Sequence, residues 1–504
     1  MYWLESDSQK TFTPLTEGFY FGNMATEVTK ILPLHFEAIT APQEVLRRVK
    51  EQINWTQLPI KFSESRGDLP VLTVSDQDVE QSSVYVVANS GAQLMNSLHY
   101  PYRRSHRESR DITDANEKAM GLGMLIYSRE GDSFVFSSLN PEKGLKALAV
   151  IGNSLNGIGI QASRNFIPVE SVDDWIQHNA GTISILPNVL EPELVSHYAD
   201  GEGHELVQRV LAGVAVYTKN GAQQIWEQAG IPTPLTQYFD LSQQSSGEVA
   251  ETIKDTFSSY SHCVVNRLDG SGGFGIVFGS LEEIGDILQN SLLQNQAIQV
   301  QGYLPVRISP CLIADITSEG EVKPLLVSEQ VFSTPGAHAG NNWHEDMEED
   351  LLHLASDFGR VNNAALQELA NLGVVGQVNV DSMILSPEDA KKYQVNITTM
   401  REVNTRPAGS SVIIKLRKGN INGQKIIRIY TRTGIEIPYD VFTSSDFERT
   451  IRKCSGDGMK VVSYNYDVEH EKVALAFCGT SEISGKELKE LESTVKETIS
   501  QLGK

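Results

Sequence analysis

Cysteine is scarce in this chain, and the spacing of the few cysteines excludes two kinds of protein. The 504 residues include four cysteines, at positions 263, 311, 454 and 478. These positions are too far apart for the paired spacing of a zinc site or for the dense framework of a disulfide scaffold. We therefore expect buried thiols in a reducing compartment.

Positive charge is also in deficit. The chain has 42 Lys and Arg residues against 64 Asp and Glu residues, which gives a net charge of −22. Such a charge disfavours non-specific binding to nucleic acids or anionic membranes. No run of ~20 apolar residues predicts a transmembrane helix, and the start of the chain lacks the regions of a secretory signal. These absences predict a cytoplasmic protein with no nucleic-acid or membrane partner.

Oxygen-bearing side chains are concentrated in two strand-like runs near residue 400. Asp381 lies in a run of β-branched and apolar residues, and Glu402 and Asn404 are two residues apart in the next run, so they share a face. A few carboxylate and amide oxygens in an open site suit Mg²⁺ that also binds substrate phosphates. Arg406 adds a fork for an anionic oxygen. The alternative is a surface ion pair between Glu402 and Arg406, since short motifs often match by chance.

A glycine-rich segment follows the strand-like run 262–267 and leads into a second strand. Glycines carry no β-carbon, so successive N–H groups of such a loop can approach a phosphate. The loop lacks the Gly-Lys-Ser/Thr ending of a Walker A motif and does not open a helix. An ordinary flexible hairpin turn is the open alternative. The candidate phosphate-binding residues are Gly270, Ser271, Gly272, Gly273 and Gly275.

A third segment, 332–344, is rich in small and polar residues and contains two histidines. We interpret it as an irregular loop, and loops on a rigid scaffold often carry recognition. His338 is the candidate for a substrate contact, with a purely structural loop as the alternative. A metal site that also uses His344 is disfavoured, because no nearby carboxylate pattern completes it.

The order of these pieces resembles the ATP-grasp superfamily. A helix at 222–229 is followed by the glycine hairpin, a strand at 297–303, Asp381, and the run 402–406 of sequence Glu-Val-Asn-Thr-Arg. The resemblance covers about 222–414, a little under half of the chain. It implies two α+β halves that clamp ATP, with Mg²⁺, or Mn²⁺ as a substitute, held by the oxygen-bearing side chains. It also implies that the residues of the interdomain hinge read adenine through their backbone. These are Gln301, Gly302 and Tyr303.

The chain departs from the family pattern at two positions. Asn266 stands where the family usually has a phosphate-binding lysine, and Arg267 beside it is the nearest substitute. Asn379 stands where the family tends to have a basic residue before the strand aspartate. Three arginines could stabilise the transferred phosphoryl group, and the sequence does not rank them. They are Arg307, Arg360 and Arg406.

The expected fold class is α/β (α+β), with an ATP-grasp fold between two further regions. Residues 1–221 form an α/β domain that precedes the ATP-grasp domain, in which 84–88, 147–152 and 182–186 are expected to be buried strands. The ATP-grasp domain spans 222–414, with a lid at about 235–300 and a metal-binding part at about 301–414. Residues 415–504 form a small C-terminal α/β appendage.

The resemblance implies an ATP-dependent ligase that joins a carboxylate to an amine through an acyl phosphate. We expect an amino acid or short peptide as the substrate, and the sequence leaves homodimer formation open. Two alternatives stay open: a kinase that phosphorylates a small molecule on the same clamp, and a non-catalytic nucleotide-binding module. The second is motivated by Asn266.

Overall fold

The computed structural model describes most of the chain from residue 121 onward and three short stretches before it, at 61–62, 70–72 and 83–87. Within the later part, the description omits 139, 189, 191–193, 196, 199–204, 218–220, 269–275, 292, 295, 318, 335–336, 406–408, 482 and 503–504. None of the helices in these described ranges combines the length and the apolar character needed to cross a membrane.

The N-terminal region contains a four-stranded parallel sheet, in the order β5-β4-β3-β6. A short antiparallel pair precedes it, and a 3-10 helix at Leu122–Tyr127 leads into its second strand. The strands are β1 (Lys61–Phe62), β2 (Pro70–Val71), β3 (Tyr85–Val87), β4 (Ser133–Ser137), β5 (Asn165–Val169) and β6 (Ile185–Pro187). The helices are α1 (Pro141–Asn156) and α2 (Val172–Asn179).

The next region is an antiparallel sheet of order β7-β10-β8-β9, which corresponds to the expected lid. A separate buried cluster fills its core, with Phe257, Val265 and Val300 among its members. The strands are β7 (Thr236–Asp240), β8 (His262–Arg267), β9 (Ile276–Ser280) and β10 (Ala297–Gly302). The helices before and within this region are α3 (Glu205–Tyr217), α4 (Gly221–Gln228), α5 (Ser246–Thr256) and α6 (Ile284–Leu288).

An eight-stranded antiparallel sheet, which we call the central sheet, has the order β15-β14-β11-β12-β13-β18-β20-β19. The strands from here on are β11 (Pro310–Ile316), β12 (Val322–Thr334), β13 (Ala337–His344), β14 (Gly376–Ile384), β15 (Thr398–Asn404), β16 (Asn420–Ile421), β17 (Gln424–Lys425), β18 (Arg428–Glu436), β19 (Met459–Asp467) and β20 (Lys472–Gly479). The helices are α7 (Met347–Leu354), α8 (Phe358–Asn371), α9 (Pro387–Tyr393), α10 (Val412–Leu416), α11 (Tyr439–Phe442), α12 (Ser445–Cys454) and α13 (Gly485–Leu502).

The C-terminal strands extend the central sheet. β18 pairs with β13, and β20 and β19 follow it, so the predicted appendage shares a sheet with the predicted metal-binding part. The N-terminal region also packs on these strands, where Ser154 Oγ accepts a hydrogen bond of 2.8 Å from the Ser463 N–H. The α/β class is thus confirmed, while the domain boundaries at 221 and 414 stay a prediction.

Two local expectations are wrong. Residues 147–152 lie in α1, whose Asn140 cap accepts a hydrogen bond of 3.0 Å from the Lys143 N–H. A short apolar run fits a buried helix as well as a buried strand, which is why the pattern misled. The segment 332–344 is an irregular hairpin of β12 and β13 with two register shifts, and not a loop.

Candidate functional site

The register of β14 and β15 brings the predicted metal-binding side chains together. Asp381 pairs with Glu402, and Asn379 pairs with Asn404. Residues directly opposite each other in an antiparallel pair project from the same face, with Cβ atoms about 4.5–5.5 Å apart. One face of the central sheet therefore carries two carboxylates and two amides within a small area.

The electrostatics of Asp381 indicate a place for a cation. Its side chain is 2% exposed, and Oδ1 has no hydrogen-bond partner in the described part of the chain. Burial, and then the neighbouring Glu402 carboxylate, raise the pKa of Asp381 to about 7. Two like charges in a poorly hydrated site disfavour each other, and a divalent ion between them would remove that cost.

The oxygen set fits an open Mg²⁺ site and does not form a closed cage. Among the described residues, no group of three or more His, Cys, Asp or Glu side chains is arranged to hold a metal ion. Asp381 and Glu402 would supply two ligands, and Asn404 could add an amide oxygen. Mg²⁺ usually completes its shell with water and substrate phosphates, which this arrangement leaves room for.

Arg401 is a functional candidate that sequence reasoning missed. The register shifts between Asp381 and Ser382, which leaves Arg401 as the extra residue of a β-bulge on β15. Such bulges re-aim side chains next to active sites. The Arg401 guanidinium carbon lies 5.7 Å from the centroid of the Phe332 ring, and its charge acts on Asp381 to oppose the rise in pKa. A cation thus stands beside the carboxylate pair.

A buried hydrogen-bond network supports the site from beside β14. Asn379 is fully buried, and its Oδ1 accepts hydrogen bonds from Ser411 Oγ at 3.0 Å and Ser410 Oγ at 3.3 Å. Ser410 also contacts Cys311 Sγ at 3.2 Å. Burial and then Asp381 raise the pKa of Cys311 well above its usual range, so the thiol is neutral and no nucleophile. Asn379 stands where the sequence resemblance implies a basic residue, and its hydrogen bonds hold residues 410–411 against β14.

The structure places His338 close to the carboxylate pair. Its ring packs edge-to-face on Phe332, with centroids 6.2 Å apart, and Glu402 and Arg401 both influence its charge. The side chain is open to solvent, yet desolvation by the surrounding protein lowers its pKa. The ring is neutral at pH 7 and is a suitable hydrogen-bond partner for a ligand.

Asn341 is a second residue that sequence reasoning missed. It pairs with Gln330 across β12 and β13, and Gln330 in turn acts on Asp381. Asn341 is 1% exposed, and its side chain acts on the charge of His338 through a side-chain hydrogen bond. A β-carbon at Gly409 would lie 3.3 Å from His338 Cε1 and 3.8 Å from Asn341 Nδ2, so these three residues meet.

The lid sheet presents amides around Asn266, where the sequence resemblance implies a lysine. Asn266 Nδ2 donates to Gln299 Oε1 at 3.4 Å, and Gln299 Nε2 donates to Gln223 Oε1 at 2.7 Å. Arg267 is the next residue of β8, so it projects from the opposite face, where its Nη2 donates to Gln296 Oε1 at 3.1 Å. Arg267 therefore cannot place its charge where Asn266 lies.

The predicted hinge is tightly packed. Gln301 Nε2 donates to Gln223 Oε1 at 2.7 Å, and the N–H groups of Gly302 and Tyr303 donate to Leu235 and His262 carbonyls at 3.2 and 3.0 Å. A β-carbon at Gly302 would lie 2.4 Å from the Tyr260 ring, so only glycine fits. These two N–H groups are engaged within the protein and do not face an open site.

Two predicted arginines lie away from the carboxylate pair, and the other predicted residues are not described. Arg307 is exposed, and its N–H donates to the Ile384 carbonyl at 2.9 Å, three residues beyond Asp381 on β14. Arg360 is exposed on α8. Arg406 and the glycine loop, with Gly270, Ser271, Gly272, Gly273 and Gly275, lie outside the described residues.

Comparison with known proteins gives similarities of fold. No protein-family model and no curated protein matches the sequence. Among solved structures, the chain is similar to N5-carboxyaminoimidazole synthetase from Staphylococcus aureus complexed with ADP, with 8% identity, a TM-score of 0.49, and 82% of this chain and 97% of that chain covered. An ADP complex of N5-carboxyaminoimidazole ribonucleotide synthetase gives 13% identity, a TM-score of 0.48, and coverage of 76% and 94%.

A third similar structure is biotin carboxylase from Campylobacter jejuni in a β-γ-ATP complex. It has 10% identity, a TM-score of 0.48, and coverage of 84% of this chain and 95% of that chain. Similarity at this level assigns no activity to the chain. The functional proposal therefore depends on the geometry of the site.

Proposed function

We propose that this protein is an ATP-grasp enzyme, an ATP- and Mg²⁺-dependent ligase that joins a carboxylate to an amine and releases ADP. The observation that supports the proposal is that Asp381 and Glu402 share a face of the central sheet, with Asp381 almost fully buried and its Oδ1 without a hydrogen-bond partner among the described residues. A buried carboxylate beside a second carboxylate is costly unless a cation binds there. An amino acid or short peptide is the proposed substrate, and the cytoplasm the proposed location.

The proposed reaction has two steps. A carboxylate oxygen of the substrate attacks the γ-phosphorus of ATP, a new O–P bond forms, and the bond from the γ-phosphorus to the β–γ bridging oxygen breaks to release ADP. The amine nitrogen then attacks the acyl carbon, phosphate leaves with the bonding electrons, and the nitrogen loses a proton. Mg²⁺ held by Asp381 and Glu402 would neutralise the negative charge that develops on the phosphates.

The residues of the chain have separate roles in this proposal. Asp381 and Glu402 hold the ion, with Asn404 as a third ligand, and Mn²⁺ is an alternative ion. Arg401 supplies positive charge beside the reacting groups. The lid at about 235–300 closes over the nucleotide and excludes water, which would otherwise hydrolyse the acyl phosphate.

The domain division stays part of the proposal. Residues 1–221 would precede the ATP-grasp domain at 222–414, whose metal-binding part begins near 301. Residues 415–504 would stiffen the far edge of the same sheet, since β18 joins it directly.

A specific observation favours one competing function, a nucleotide-binding module without catalysis. Asn266 carries no charge, and Arg267 lies on the other face of β8 and contacts Gln296. The described part of the lid therefore offers the nucleotide amides in place of a lysine. A kinase on the same scaffold would also use Asp381 and Glu402, and its products distinguish it.

The test is product analysis with a matched variant. The protein is incubated with ATP, Mg²⁺ and pooled amino acids, and we expect ADP, phosphate and a new amide mass in equal amounts. Glu402→Gln keeps the shape but removes one charge, and turnover should fall about 10²–10³-fold, as when one electrostatic contact in a transition state is lost. Glu448→Gln, on the exposed surface of α12, is the control.

Other products decide between the alternatives. AMP and pyrophosphate would reject the acyl-phosphate mechanism. ADP with a phosphorylated substrate and no free phosphate would indicate a kinase. Tight ATP binding without turnover on any substrate would indicate a binding module.

A further inference from the structure

An extra residue in β13 decides which side chains of that strand lie on the same face as the metal-binding carboxylates. Val331 and Phe332, which are adjacent on β12, pair with Gly340 and His338 of β13. Ala339 therefore has no partner across the hairpin and is the extra residue of a β-bulge. Such a residue interrupts the alternation of side chains along its strand.

Because of the bulge, His338 and Asn341 project from one face although they are three residues apart. Their partners across the hairpin, Phe332 and Gln330, are two residues apart on β12 and so share a face. Residues directly opposite each other share a face as well. In an unbroken strand, His338 and Asn341 would project from opposite faces. A side-chain hydrogen bond between them agrees with the bulged arrangement.

The shared face is the one that carries Asp381. Asp381 lies opposite Cys311 on β11, and Cys311 lies opposite Ser328 on β12. Ser328 and Gln330 are two residues apart, so all four residues project from the same face. The bulge therefore places His338 on the side of the central sheet where the carboxylate pair lies.

Thr431 of β18 holds the bulged strand from its other edge. The backbone ladder between β13 and β18 ends at the pair of Asn342 and Tyr430. At the next residues the Thr431 hydroxyl takes the place of the ladder. It accepts a hydrogen bond of 2.8 Å from the Asn341 N–H and donates one of 3.4 Å to the Asn341 carbonyl. Thr431 is fully buried, so solvent does not replace these hydrogen bonds.

Gly340 lets the two strands approach at this point. A β-carbon at Gly340 would overlap the Thr431 carbonyl oxygen and would lie 3.2 Å from Arg432 Cα. Both are backbone atoms, so no rotation of a side chain removes the overlap, and only glycine fits. A glycine on one strand and a hydroxyl on the other thus hold the bulge against β18.

We propose that Thr431 is a positioning residue, which sets the bulge of β13 and thereby holds His338 beside the carboxylate pair, where it contacts the substrate. The proposal rests on the proposed ligase function. It gives the C-terminal region a part in the site, since Thr431 lies within 415–504. Without the hydroxyl, the buried Asn341 N–H lacks an acceptor. The hairpin then shifts by one residue toward a regular ladder, which turns His338 to the other face.

The first test is structural, and it compares crystal structures of the wild type, Thr431→Val and Thr431→Ser. Valine has the shape of threonine without the hydroxyl, so Thr431→Val should lose the bulge and move His338 away from Glu402. Serine keeps the hydroxyl, so Thr431→Ser should keep the wild-type hairpin. If Thr431→Val does not fold, Gly340→Ala replaces it, because it disturbs the same contact from β13. An unchanged hairpin overturns the proposal.

The second test separates positioning from a general loss of stability. ADP release is measured with Mg²⁺, ATP and an equimolar mixture of the twenty standard amino acids. Thr431→Val should raise the apparent KM for the mixture about tenfold, as for the loss of one hydrogen bond, while KM for ATP changes less than twofold. Thr431→Ser should restore the wild-type values.

Thr443→Val is the matched control. It removes another threonine hydroxyl of the C-terminal region, which donates to the Tyr439 carbonyl at 3.0 Å. Both KM values should stay as in the wild type. A tenfold rise in this control as well would mean that the Thr431→Val effect is a general consequence of lost stability, and the positioning role would be wrong.

A double variant shows whether Thr431 acts through His338. In the His338→Ala background, Thr431→Val should cause no further change in the apparent KM for the amino acids, because residues that act as a unit are not additive. A further increase of the same size as in the wild type would mean that Thr431 acts by another route, and it would overturn the proposal.

The two levels of the proposal fail in different ways. If the wild-type protein does not bind Mg²⁺–ADP in a calorimetric titration, or releases no ADP with the mixture, the ligase function on amino acids is wrong. The crystal structures then still decide whether Thr431 sets the bulge. If the wild type binds Mg²⁺–ADP and turns over, but Thr431→Val keeps the His338 position or the apparent KM for the amino acids, the positioning role is wrong and the ligase function stands.

Discussion

The lid sheet and the central sheet differ in how their buried amide and carboxylate groups are paired. On the lid sheet, Asn266, Gln299 and Gln301 are linked to one another and to Gln223 by hydrogen bonds. On the central sheet, Asp381 Oδ1 has no partner among the described residues. Satisfied buried polar groups stabilise a fold, whereas an unsatisfied one indicates where a ligand is expected.

Because of this difference, substitutions on the two sheets are expected to change different properties of the protein. Changes on the lid sheet should affect stability, because they break hydrogen bonds that already exist. Changes on the central sheet should affect binding of ion or substrate, because those bonds form only with a ligand. The following experiments break or sharpen the comparison, from the largest effect to the smallest.

The largest effect is expected from the pH dependence of stability without metal ions. The unfolded chain loses the Asp381 proton near its ordinary pKa of 3.8, whereas the folded protein keeps it up to about 7. Since the folded state binds more protons in this pH range, the free energy of unfolding should fall by roughly a few kcal/mol as the pH rises from 4 to 7. Urea unfolding in EDTA at several pH values measures this change in the free energy of unfolding.

Asp381→Asn is the matched variant for this experiment. It should flatten the pH profile, and it should abolish the stabilisation by Mg²⁺, which for wild type should be larger at pH 8 than at pH 5. A Mg²⁺ effect of equal size in the variant would contradict the assignment of Asp381 as a ligand.

An intermediate effect is expected on the lid sheet. Gln223 Oε1 accepts from Gln299 and Gln301, and its Nε2 donates to Glu227 Oε1 at 2.9 Å. Gln223→Leu removes the acceptor that the buried Gln299 and Gln301 amides share and should lower the free energy of unfolding by about 2 kcal/mol. Denaturant unfolding measures the change. A variant as stable as wild type would show that the network is not structural.

The smallest effect is expected for Asn341→Leu in the absence of ligand. The change keeps a similar volume and removes a hydrogen bond to the exposed His338 ring, so the free energy of unfolding should stay within about 1 kcal/mol. The same denaturant series that measures Gln223→Leu provides the comparison. A loss as large as that of Gln223→Leu would mean that Asn341 contributes as much to the stability of the fold as Gln223 does.

The sequence pattern predicts the strands and the helix around the candidate site, but it does not predict two other elements. The strands β8 and β9, helix α4, and strands β14 and β15 follow from apolar periodicity and β-branched residues. The run 147–152 is predicted as a strand but lies in a helix, because the Asn140 cap and Pro141 define where that helix begins and the apolar residues do not. The segment 332–344 is predicted as a loop but forms the hairpin of β12 and β13, because its small and polar residues are also typical of loops.

The sequence by itself determined which oxygen atoms are available, those of Asp381, Glu402 and Asn404, and that Glu402 and Asn404 share one face of their strand. Tertiary structure alone decided that Asp381 lies opposite Glu402, that Arg401 bulges toward Asp381, and that Asn341 lies buried beside His338. Alternation along one strand is a local property, fixed by backbone geometry. Register, bulges and burial depend on which distant strands pair, and so they arise only when the chain packs into its sheets.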